Sequence, residues 1–571
     1  MKKLMIGNEA VARGAYEAGV RVVSSYPGTP STEITEFCAK YPEMNCQWAP
    51  NEKVAVEVSF GASMTGARAL SCMKHVGVNV AADPLYTAAY TGVNAGLVIA
   101  AADDPFMHSS QNEQDSRMIA RSSHIPMLEP ADSQECLDFT KLAYQLSEEY
   151  DTPVFLRLTT RLAHSRSPVE VGEREDIPLK PYEKNTMKYV MMPGMARKRH
   201  LVVEEREKKM AQDANAMAVN RMEMRDAKLG VVCAGVVYQY VREALPEASV
   251  LKLGLSYPVP QELIREFAGK VEKLIVVEEL EPVIEREIQQ MGIPVSGKDK
   301  TGVQGELSAA RVKQLFGDGE EAPKEAALPA RPPVLCPGCP HRATFFAMKR
   351  LGLTVFGDIG CYTLCALPPV NMMDSTLCMG ASVGMASGAE KARGRDFSKK
   401  TVAVLGDSTF IHSGITPLID AVYGGMHTTT VILDNRITGM TGHQQNPASG
   451  KNILGDPAPQ LNLEKLCESI GAVVRVCDPQ NLKEFTQILK EETEADHVSV
   501  VIARRPCALL DKRKKEPCHI ADCRNCGSCM KLGCPALQRK KDSVTIDHTL
   551  CVGCGLCKQV CPFGAIQGGE E

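Results

Sequence analysis

The stretch TVAVLGDSTFIHSGITPLIDAVYGGMHTTTVILDNRITGMTGHQ, residues 401–444, decides the fold. One apolar segment, TVAVL, ends at Gly406 and Asp407, and a second, TTTVIL, ends at Asp434 and Asn435. The residues between them suffice for a helical crossover, so the pattern predicts two neighbouring parallel strands. Because ligands of such sheets bind at the carboxyl ends of strands, we expect Asp407 and Asn435 to converge on one point.

A divalent cation and a diphosphate would suit this point. Carboxylate, amide and backbone carbonyl oxygens are ligands that Mg²⁺ takes together with phosphate oxygens. Glycines at 406, 439 and 442 would let the backbone approach such a ligand closely. The pattern resembles the thiamine diphosphate motif, G-D-G followed by an asparagine after the next strand, with Ser408 in place of the second glycine. An ordinary loop between strand and helix is the alternative.

Strand and helix patterns alternate through most of the chain, which predicts parallel sheets with helices on both faces. The fold class is therefore α/β, with several doubly wound domains and a cysteine-rich tail. The predicted order is an α/β domain over 1–179, a Met-rich helical linker over 180–226, a second α/β domain over 227–318, an exposed linker over 319–333, a third α/β domain over 334–510 and the tail over 511–571.

Composition narrows the class of protein. A net charge of −4 over 571 residues gives no indication of nucleic acid or a membrane surface as partner. The first residues lack a signal peptide's apolar core, and the uncharged part of residues 84–102 reads as buried helix and strand, so we expect a cytoplasmic protein. The 22 cysteines come without a secretion signal, which argues against a disulfide framework, and nine of them lie in residues 511–571, where they indicate metal.

The tail carries two cysteine runs of ferredoxin type. Residues 551–562, CVGCGLCKQVCP, have the bacterial ferredoxin spacing, and residues 523–535, CRNCGSCMKLGCP, have one more residue in the last gap. In two-cluster ferredoxins the fourth cysteine of each run ligates the other cluster. The expected ligand sets are Cys523, Cys526, Cys529 and Cys561 for one 4Fe–4S cluster, and Cys551, Cys554, Cys557 and Cys534 for the other. Zinc is the alternative, and Cys518 is not expected to be a ligand.

Glu52 stands at the head of a helix pattern rich in small residues, NEKVAVEVSFGASM. A glutamate there is ordinarily a favourable charge at the helix dipole. Enzymes that use thiamine diphosphate need a glutamate against the N1′ atom of the aminopyrimidine, where it promotes loss of the C2 proton. The diphosphate motif therefore makes Glu52 a catalytic candidate.

Taken together, these motifs resemble the 2-oxoacid:ferredoxin oxidoreductases, and among them the large (α) subunits of the enzymes that oxidise indolepyruvate. The resemblance covers nearly the whole chain. Its segments are SSYPGTPSTEI at 24–34, MKHVGVNVAADPL at 73–85, DDPFMHSSQNEQDSR at 103–117, CPGCPHR at 336–342, GDSTFIHSG at 406–414 and the tail.

The resemblance implies roles for matching residues. Thr29 would face thiamine diphosphate and substrate, and Asp407, Asn435 and the Ile437 carbonyl would bind Mg²⁺. Gly406, Ser408 and Gly439 would line the cofactor, and Arg117 or Arg121 would hold the substrate carboxylate. His75, His108 and His412 would be polar contacts, although each alone is more often structural. A third cluster beside the cofactor would be held by Cys336, Cys339, Cys361 and Cys507, with Cys365 as a rival; a zinc knuckle and free thiols are the alternatives.

The resemblance also implies a reaction and partners. An aryl 2-oxoacid such as indolepyruvate would lose CO2, coenzyme A would take the acyl group, and ferredoxin would take the electrons through two or three 4Fe–4S clusters. A separate small β subunit would complete an α₂β₂ assembly, since relatives have a further domain that this chain lacks. The alternatives are a decarboxylase without redox chemistry and a non-catalytic electron-transfer subunit.

Overall fold

The computed structural model describes residues 1–317, 332–511 and 515–569. They form two compact units, Met1–Ala327 and Leu328–Glu571. The predicted linker over 319–333 lies, except for its last two residues, outside the described residues. The other predicted domain boundaries stay predictions.

The described part of the first unit has strands β1–β13 and helices α1–α15. The strands are Lys2–Ile6, Val22–Ser25, Asn45–Trp48, Ala69–Lys74, Leu97–Asp103, Met127–Leu128, Val154–Thr159, Arg166–Glu170, Arg221–Glu223, Asp226–Ala234, Ala248–Leu253, Leu255–Tyr257 and Lys273–Val277. The helices are Gly7–Glu17, Thr32–Cys38, Glu52–Met64, His75–Val80, Ala82–Thr91, Ser116–Ser123, Ser133–Glu149, Thr160–His164, Thr186–Tyr189, Pro193–Asp213, Val237–Ala244, Gln261–Ala268, Val283–Gln290, Lys298–Thr301 and Ala309–Phe316.

A seven-stranded sheet in the order β12-β6-β7-β5-β4-β2-β3 is the core of this unit. Its pairs are parallel except at the edge, where β12 runs antiparallel to β6. Strand β5, LVIAAAD, is buried at every position, as expected where helices cover both faces of a parallel sheet. A four-stranded sheet, β13-β10-β11-β9, forms the second α/β part.

The two α/β parts of the first unit are joined through a common β-sheet. Strand β12, from the part predicted to begin at 227, completes the edge of the seven-stranded sheet. Helix α10, in the predicted linker, buries Val203, Arg206 and Met210, and Arg206 donates to the carbonyls of Asp151 and Ala89 at 2.9 and 3.0 Å. The linker is therefore packed on the first α/β part.

The second unit is built on a six-stranded parallel sheet in the order β15-β14-β16-β17-β19-β18. Strands β14–β23 are Thr354–Gly357, Ser375–Thr376, Thr401–Gly406, Thr429–Asp434, Val473–Cys477, Ser499–Arg504, His519–Ile520, Leu537–Arg539, Val544–Ile546 and Ile566–Gln567. Helices α16–α23 are His341–Leu351, Ala381–Arg393, Arg395–Ser398, Asp407–Thr409, Ile415–Tyr423, Leu463–Ile470, Leu482–Glu494 and Leu556–Val560. In the tail, β20 pairs with β23 and β21 with β22, both antiparallel.

The predicted fold class, α/β with parallel sheets and a small cysteine-rich tail, is confirmed. Among the described residues, no helix combines the length and the apolar sequence that a membrane span requires.

Candidate active site and cysteine cavities

Asp407 and Asn435 lie at the same edge of the six-stranded sheet. Asp407 follows β16, and Asn435 follows its parallel neighbour β17. The Asp407 carboxylate accepts hydrogen bonds from the N–H groups of Ser408 at 2.7 Å and Arg436 at 2.9 Å. Because Arg436 is the residue after Asn435, this carboxylate bridges the two strand ends.

The electrostatics of this edge favour a bound cation. Burial, reinforced by the negative charge of Asp434, raises the pKa of Asp407 to about 7. Asp434 itself is paired with Arg504 at 2.7 Å and Arg436 at 3.1 Å. A divalent cation would stabilise the charged form of Asp407, and carboxylate and amide oxygens are donors that Mg²⁺ accepts. The residues present therefore fit this metal.

The loops around the edge bring further predicted residues together. The Thr438 hydroxyl donates to Ser408 Oγ at 3.0 Å. A Cβ atom at Gly439 would lie 3.5 Å from Cys361 Sγ, so this loop passes close to a thiol. Residues Phe410–Gly414 form a turn of π-helix, a feature frequent at functional sites, and within it His412 is buried and contacts Ser413 Oγ at 2.7 Å.

Glu52 is the first residue of α3 in the first unit. The Asn51 side chain caps this helix by accepting from the Val54 N–H at 2.9 Å. The carboxylate of Glu52 is buried, and a Cβ atom at Gly77 would lie 2.6 Å from its Oε1. Glycine at 77 therefore leaves the space that the Glu52 side chain occupies.

Thr29 lies beside the loop that follows β5. Its carbonyl accepts from Ser109 Oγ at 3.2 Å, and Asp104 fixes that loop by accepting from the N–H of Ser109 and the hydroxyl of Ser110 at 2.8 and 2.7 Å. The histidines near it have protein partners. His75 contacts the Asn112 carbonyl at 3.1 Å, and His108 lies 3.4 Å from Glu306.

The two arginines predicted to hold the substrate carboxylate are engaged elsewhere. Arg117 is 2% exposed, and its guanidinium donates to Asp115, to Glu278 and to the carbonyls of Glu279 and Glu281. Arg121 is paired with Glu287. The structure gives the substrate role of Arg117 no support, because its buried guanidinium already donates to four protein groups.

The tail cysteines line two cavities. One contains the thiols of Cys523, Cys526, Cys529 and Cys561, and we call it the first cavity. The other contains those of Cys534, Cys551, Cys554 and Cys557, together with Cys518, and we call it the second cavity. In each cavity three thiols come from one run and one from the other, the crossed arrangement that the sequence predicted.

Cys518 is the residue that the sequence analysis did not place. It is buried beside the second cavity, and its thiol is within hydrogen-bonding range of those of Cys557 and Cys551. Its neighbour β20 pairs with β23, which follows Cys561 in the chain. No spacing rule reaches Cys518, because this antiparallel pairing, and not a run of cysteines, brings it there.

Cys336, Cys339, Cys361 and Cys507 form a third group of thiols. Burial, reinforced by Cys507 and Cys336, raises the pKa of Cys361 to about 11. Burial, reinforced by Cys361 and Cys507, raises that of Cys339 to about 12. The rival Cys365 is buried in the apolar core of this unit, within electrostatic range of Cys339.

The third group adjoins the second cavity. Cys339 and Gly338 are part of the wall of that cavity. A Cβ atom at Gly338 would lie 2.5 Å from Val552 Cγ2 and 3.8 Å from the Cβ of Cys554. Among the described residues, no three His, Cys, Asp or Glu side chains converge as ligands of one metal ion would.

Three family models match this chain. The C-terminal TPP binding domain of thiamine pyrophosphate enzymes matches residues 358–503. The thiamine diphosphate-binding model of pyruvate flavodoxin/ferredoxin oxidoreductases matches residues 13–229. The 4Fe–4S binding domain matches residues 544–567.

Curated relatives match the whole chain. It is 40% identical over 614 residues to indolepyruvate oxidoreductase subunit IorA of Archaeoglobus fulgidus, covering 100% of this chain and 98% of the relative. The chain belongs to the IorA family. IorA of Pyrococcus horikoshii is 39% identical over 631 residues, covering 100% of this chain and 97% of the relative. Among solved structures, 2-oxoglutarate:ferredoxin oxidoreductase from Magnetococcus marinus matches with a TM-score of 0.46 and 18% identity, over 55% of this chain and 64% of that one.

Membership of the IorA family confirms the predicted resemblance and the enzyme class. The chain is a 2-oxoacid:ferredoxin oxidoreductase component with thiamine diphosphate-binding domains and a 4Fe–4S domain.

Proposed function

We propose that this chain is the large subunit of an enzyme that oxidatively decarboxylates aryl 2-oxoacids, indolepyruvate first among them. The products are CO2, the acyl thioester of coenzyme A and reduced ferredoxin. The proposal rests on the family, whose curated relatives are named indolepyruvate oxidoreductase subunits. It rests also on the proximity, within the second unit, of the thiols to the sheet edge that carries Asp407 and Asn435, which we call the cofactor edge.

The cofactor edge is assigned from its donors. Asp407, the Asn435 amide oxygen and the Ile437 carbonyl would bind Mg²⁺, and Gly406, Ser408 and Gly439 would lie against the diphosphate. Thiamine diphosphate, when bound, supplies the carbon nucleophile and the electron sink that decarboxylation of a 2-oxoacid requires. In the first unit, Glu52 would hold the aminopyrimidine N1′ atom, and Thr29 would contact cofactor and substrate.

Two features suit Glu52 and Thr29 to these roles. A carboxylate at the first position of α3 is placed by the helix cap and is shielded from water, so it can hold a proton at a nitrogen atom. The loop that carries Thr29 is tied to the loop after β5 through Ser109. Its position therefore depends on the Asp104 network.

The cysteines are assigned to three clusters. The first cavity would hold one 4Fe–4S cluster and the second cavity another, and Cys336, Cys339, Cys361 and Cys507 would hold a third. The third group lies next to the cofactor edge through Gly439 and next to the second cavity through Gly338. Electrons would therefore leave by the third cluster, the second cavity and the first cavity, in that order.

A partner completes the enzyme in this proposal. The relatives are named as subunits, and we propose a small β subunit in an α₂β₂ assembly. The large subunit alone should turn over poorly.

Anaerobic assays of the two-subunit enzyme test the proposal. Indolepyruvate with coenzyme A should reduce methyl viologen and yield the thioester, and pyruvate and 2-oxoglutarate should react more slowly. Release of an aldehyde without reduction of viologen would favour a decarboxylase without redox chemistry. Absence of Mg²⁺-dependent binding of thiamine diphosphate would favour a non-catalytic electron-transfer subunit.

A further inference from the structure

The first cavity reaches the protein surface. Cys526 is exposed, and Phe563, another residue of the cavity wall, is 48% exposed. In the second cavity Cys518 is buried, and the five other cysteines of its wall are half-buried. Of the two tail clusters, the one in the first cavity would therefore have the more exposed thiol facing an external acceptor.

Five cations lie within residues 524–541, the part of the tail that contains two of the thiols of this cavity, and we call them the basic rim: Arg524, Lys531, Arg539, Lys540 and Lys541. All five are exposed. Within residues 522–542 the acidic residues are Asp522 and Asp542. This stretch therefore has a net positive charge, whereas the whole chain has a net charge of −4.

The rim is held against the cluster loop by specific contacts. The Arg524 guanidinium lies 4.8 Å from the centre of the Phe563 ring. Arg539 packs against Gly527 of the loop: a Cβ atom added at Gly527 would lie 3.3 Å from Arg539 Nη1. Asn525 Nδ2 donates to the Lys541 carbonyl at 3.2 Å, and Lys531 is within electrostatic range of the Cys526 thiol.

We propose that the basic rim is the docking surface for a small acidic electron-carrier protein of ferredoxin type, and that the first cavity is the exit for electrons. This rests on the proposed function for the content of the cavities. Clustered charges of one sign steer an oppositely charged protein and speed its association, more strongly at low ionic strength. Placing them around the exposed thiol would bring the acceptor to the cluster at that position.

Charge reversal on the hairpin turn between β21 and β22 tests the docking surface. The double variant Lys540→Glu with Lys541→Glu changes two exposed side chains that line neither cavity. The matched control is Lys399→Glu with Lys400→Glu, an exposed lysine pair in the same unit just before β16. Both are studied in the complete two-subunit enzyme.

The acceptor is an acidic bacterial two-cluster ferredoxin. At low salt the KM of the rim variant for this ferredoxin should be about tenfold higher than that of the unmodified enzyme. The two KM values should converge as the salt concentration increases. Methyl viologen is a dication, so its reduction should not slow. The control variant should match the unmodified enzyme with both acceptors. Unchanged ferredoxin kinetics, an equal effect of the control, or an equal loss with viologen would overturn the proposal.

A second measurement separates this proposal from the proposed function. Enzyme reduced with dithionite and freed of excess reductant is mixed with oxidised ferredoxin in a stopped-flow instrument, without any 2-oxoacid. The rim variant should transfer electrons about tenfold more slowly at low salt. Equal rates would overturn docking at the rim even if 2-oxoacid oxidation were verified. Loss of the small subunit from the rim variant in size-exclusion chromatography would also overturn it, because the rim would then be a subunit interface.

Discussion

The N–H of Cys507 donates a hydrogen bond of 3.0 Å to the carbonyl of Asn435. Asn435 follows β17, and Cys507 comes three residues after β19, the parallel neighbour of β17. A residue proposed to bind Mg²⁺ thus positions the backbone of a thiol proposed to bind a cluster. The cofactor edge and the third thiol group are consequently one structural element, and electrons released at this edge would have a short path to a cluster.

Cys507→Ser tests the third cluster. We expect about twelve iron atoms per chain in the unmodified protein and about eight in the variant, because a cubane that loses one thiolate becomes labile. Iron quantification and the EPR spectrum of the reduced protein measure this. Thiamine diphosphate binding should persist, since the Asp407 carboxylate is not changed.

Cys378→Ser is the matched control for the third cluster. Cys378 is exposed and lies in the same unit, outside all three thiol groups. Its replacement should leave the iron content unchanged. About eight iron atoms in the unmodified protein would remove the third cluster from the proposal.

Cys561→Ala tests the crossed arrangement in the tail. Although Cys561 closes the second cysteine run, it lines the first cavity, so the EPR signal that should be lost is that of the cluster held by Cys523, Cys526 and Cys529. Cys534→Ala is the reciprocal variant and should affect the other cluster. If both variants damaged the cluster of their own run, the crossed assignment would be wrong.

Cys518→Ala asks whether Cys518, which lies in the wall of the second cavity outside both cysteine runs, is a cluster ligand. Four other cysteines supply the ligands that a cubane takes, and Cys518 lies within hydrogen-bonding range of two of them. We expect unchanged iron content and a lower reduction potential, because hydrogen bonds to cluster sulfurs help to set that potential. Cys518→Ser, which keeps a donor, should restore most of the shift. Loss of about four iron atoms would make Cys518 a ligand.

Much of the site could be predicted because it depends on local pattern. The strands ending at Asp407 and Asn435 are contiguous apolar runs joined by a crossover, and such strands become parallel neighbours. Cysteine spacing reflects the geometry of a tight loop around a cluster. In both cases a few consecutive residues contain the constraint.

The remainder depends on contacts between distant segments. Strand β12 joins the seven-stranded sheet because Leu255 pairs with Leu128, which no periodicity shows. Arg117 looked like a substrate ligand because an arginine's sequence context does not show its neighbours; Glu278, which fills its guanidinium, is 161 residues away in the chain. Buried ion pairs of this kind are invisible to motif analysis.

Asp407→Asn tests the metal site. Replacing the carboxylate removes a charged Mg²⁺ ligand, and we expect the Mg²⁺-dependent affinity for thiamine diphosphate to fall about 100-fold in isothermal titration. The fold should tolerate the change, because burial already disfavours the charged form of Asp407. Asp420→Asn, on the exposed side of α20, is the control and should bind normally. Equal affinities in the Asp407 variant and the unmodified protein would exclude Asp407 as a ligand.

Glu279 makes the stability of the first unit depend on pH. Burial raises its pKa from 4.5 to about 7, with Glu306 adding to the shift and the Leu307 N–H opposing it. Between these values the folded state binds the proton more tightly than the unfolded state, so the free energy of unfolding decreases as pH rises. The loss is complete above pH 7 and amounts to about 3 kcal/mol.

Glu279→Gln removes this ionisation and keeps an oxygen that can accept from the Leu307 N–H. The variant should exceed the unmodified protein in free energy of unfolding by about 3 kcal/mol at pH 8 and by less than about 1 kcal/mol at pH 5. Anaerobic urea titrations at the two pH values measure the difference. Glu272→Gln, an exposed neighbour, should show no such dependence. A gain of equal size at both pH values would mean that packing, and not ionisation, accounts for the effect.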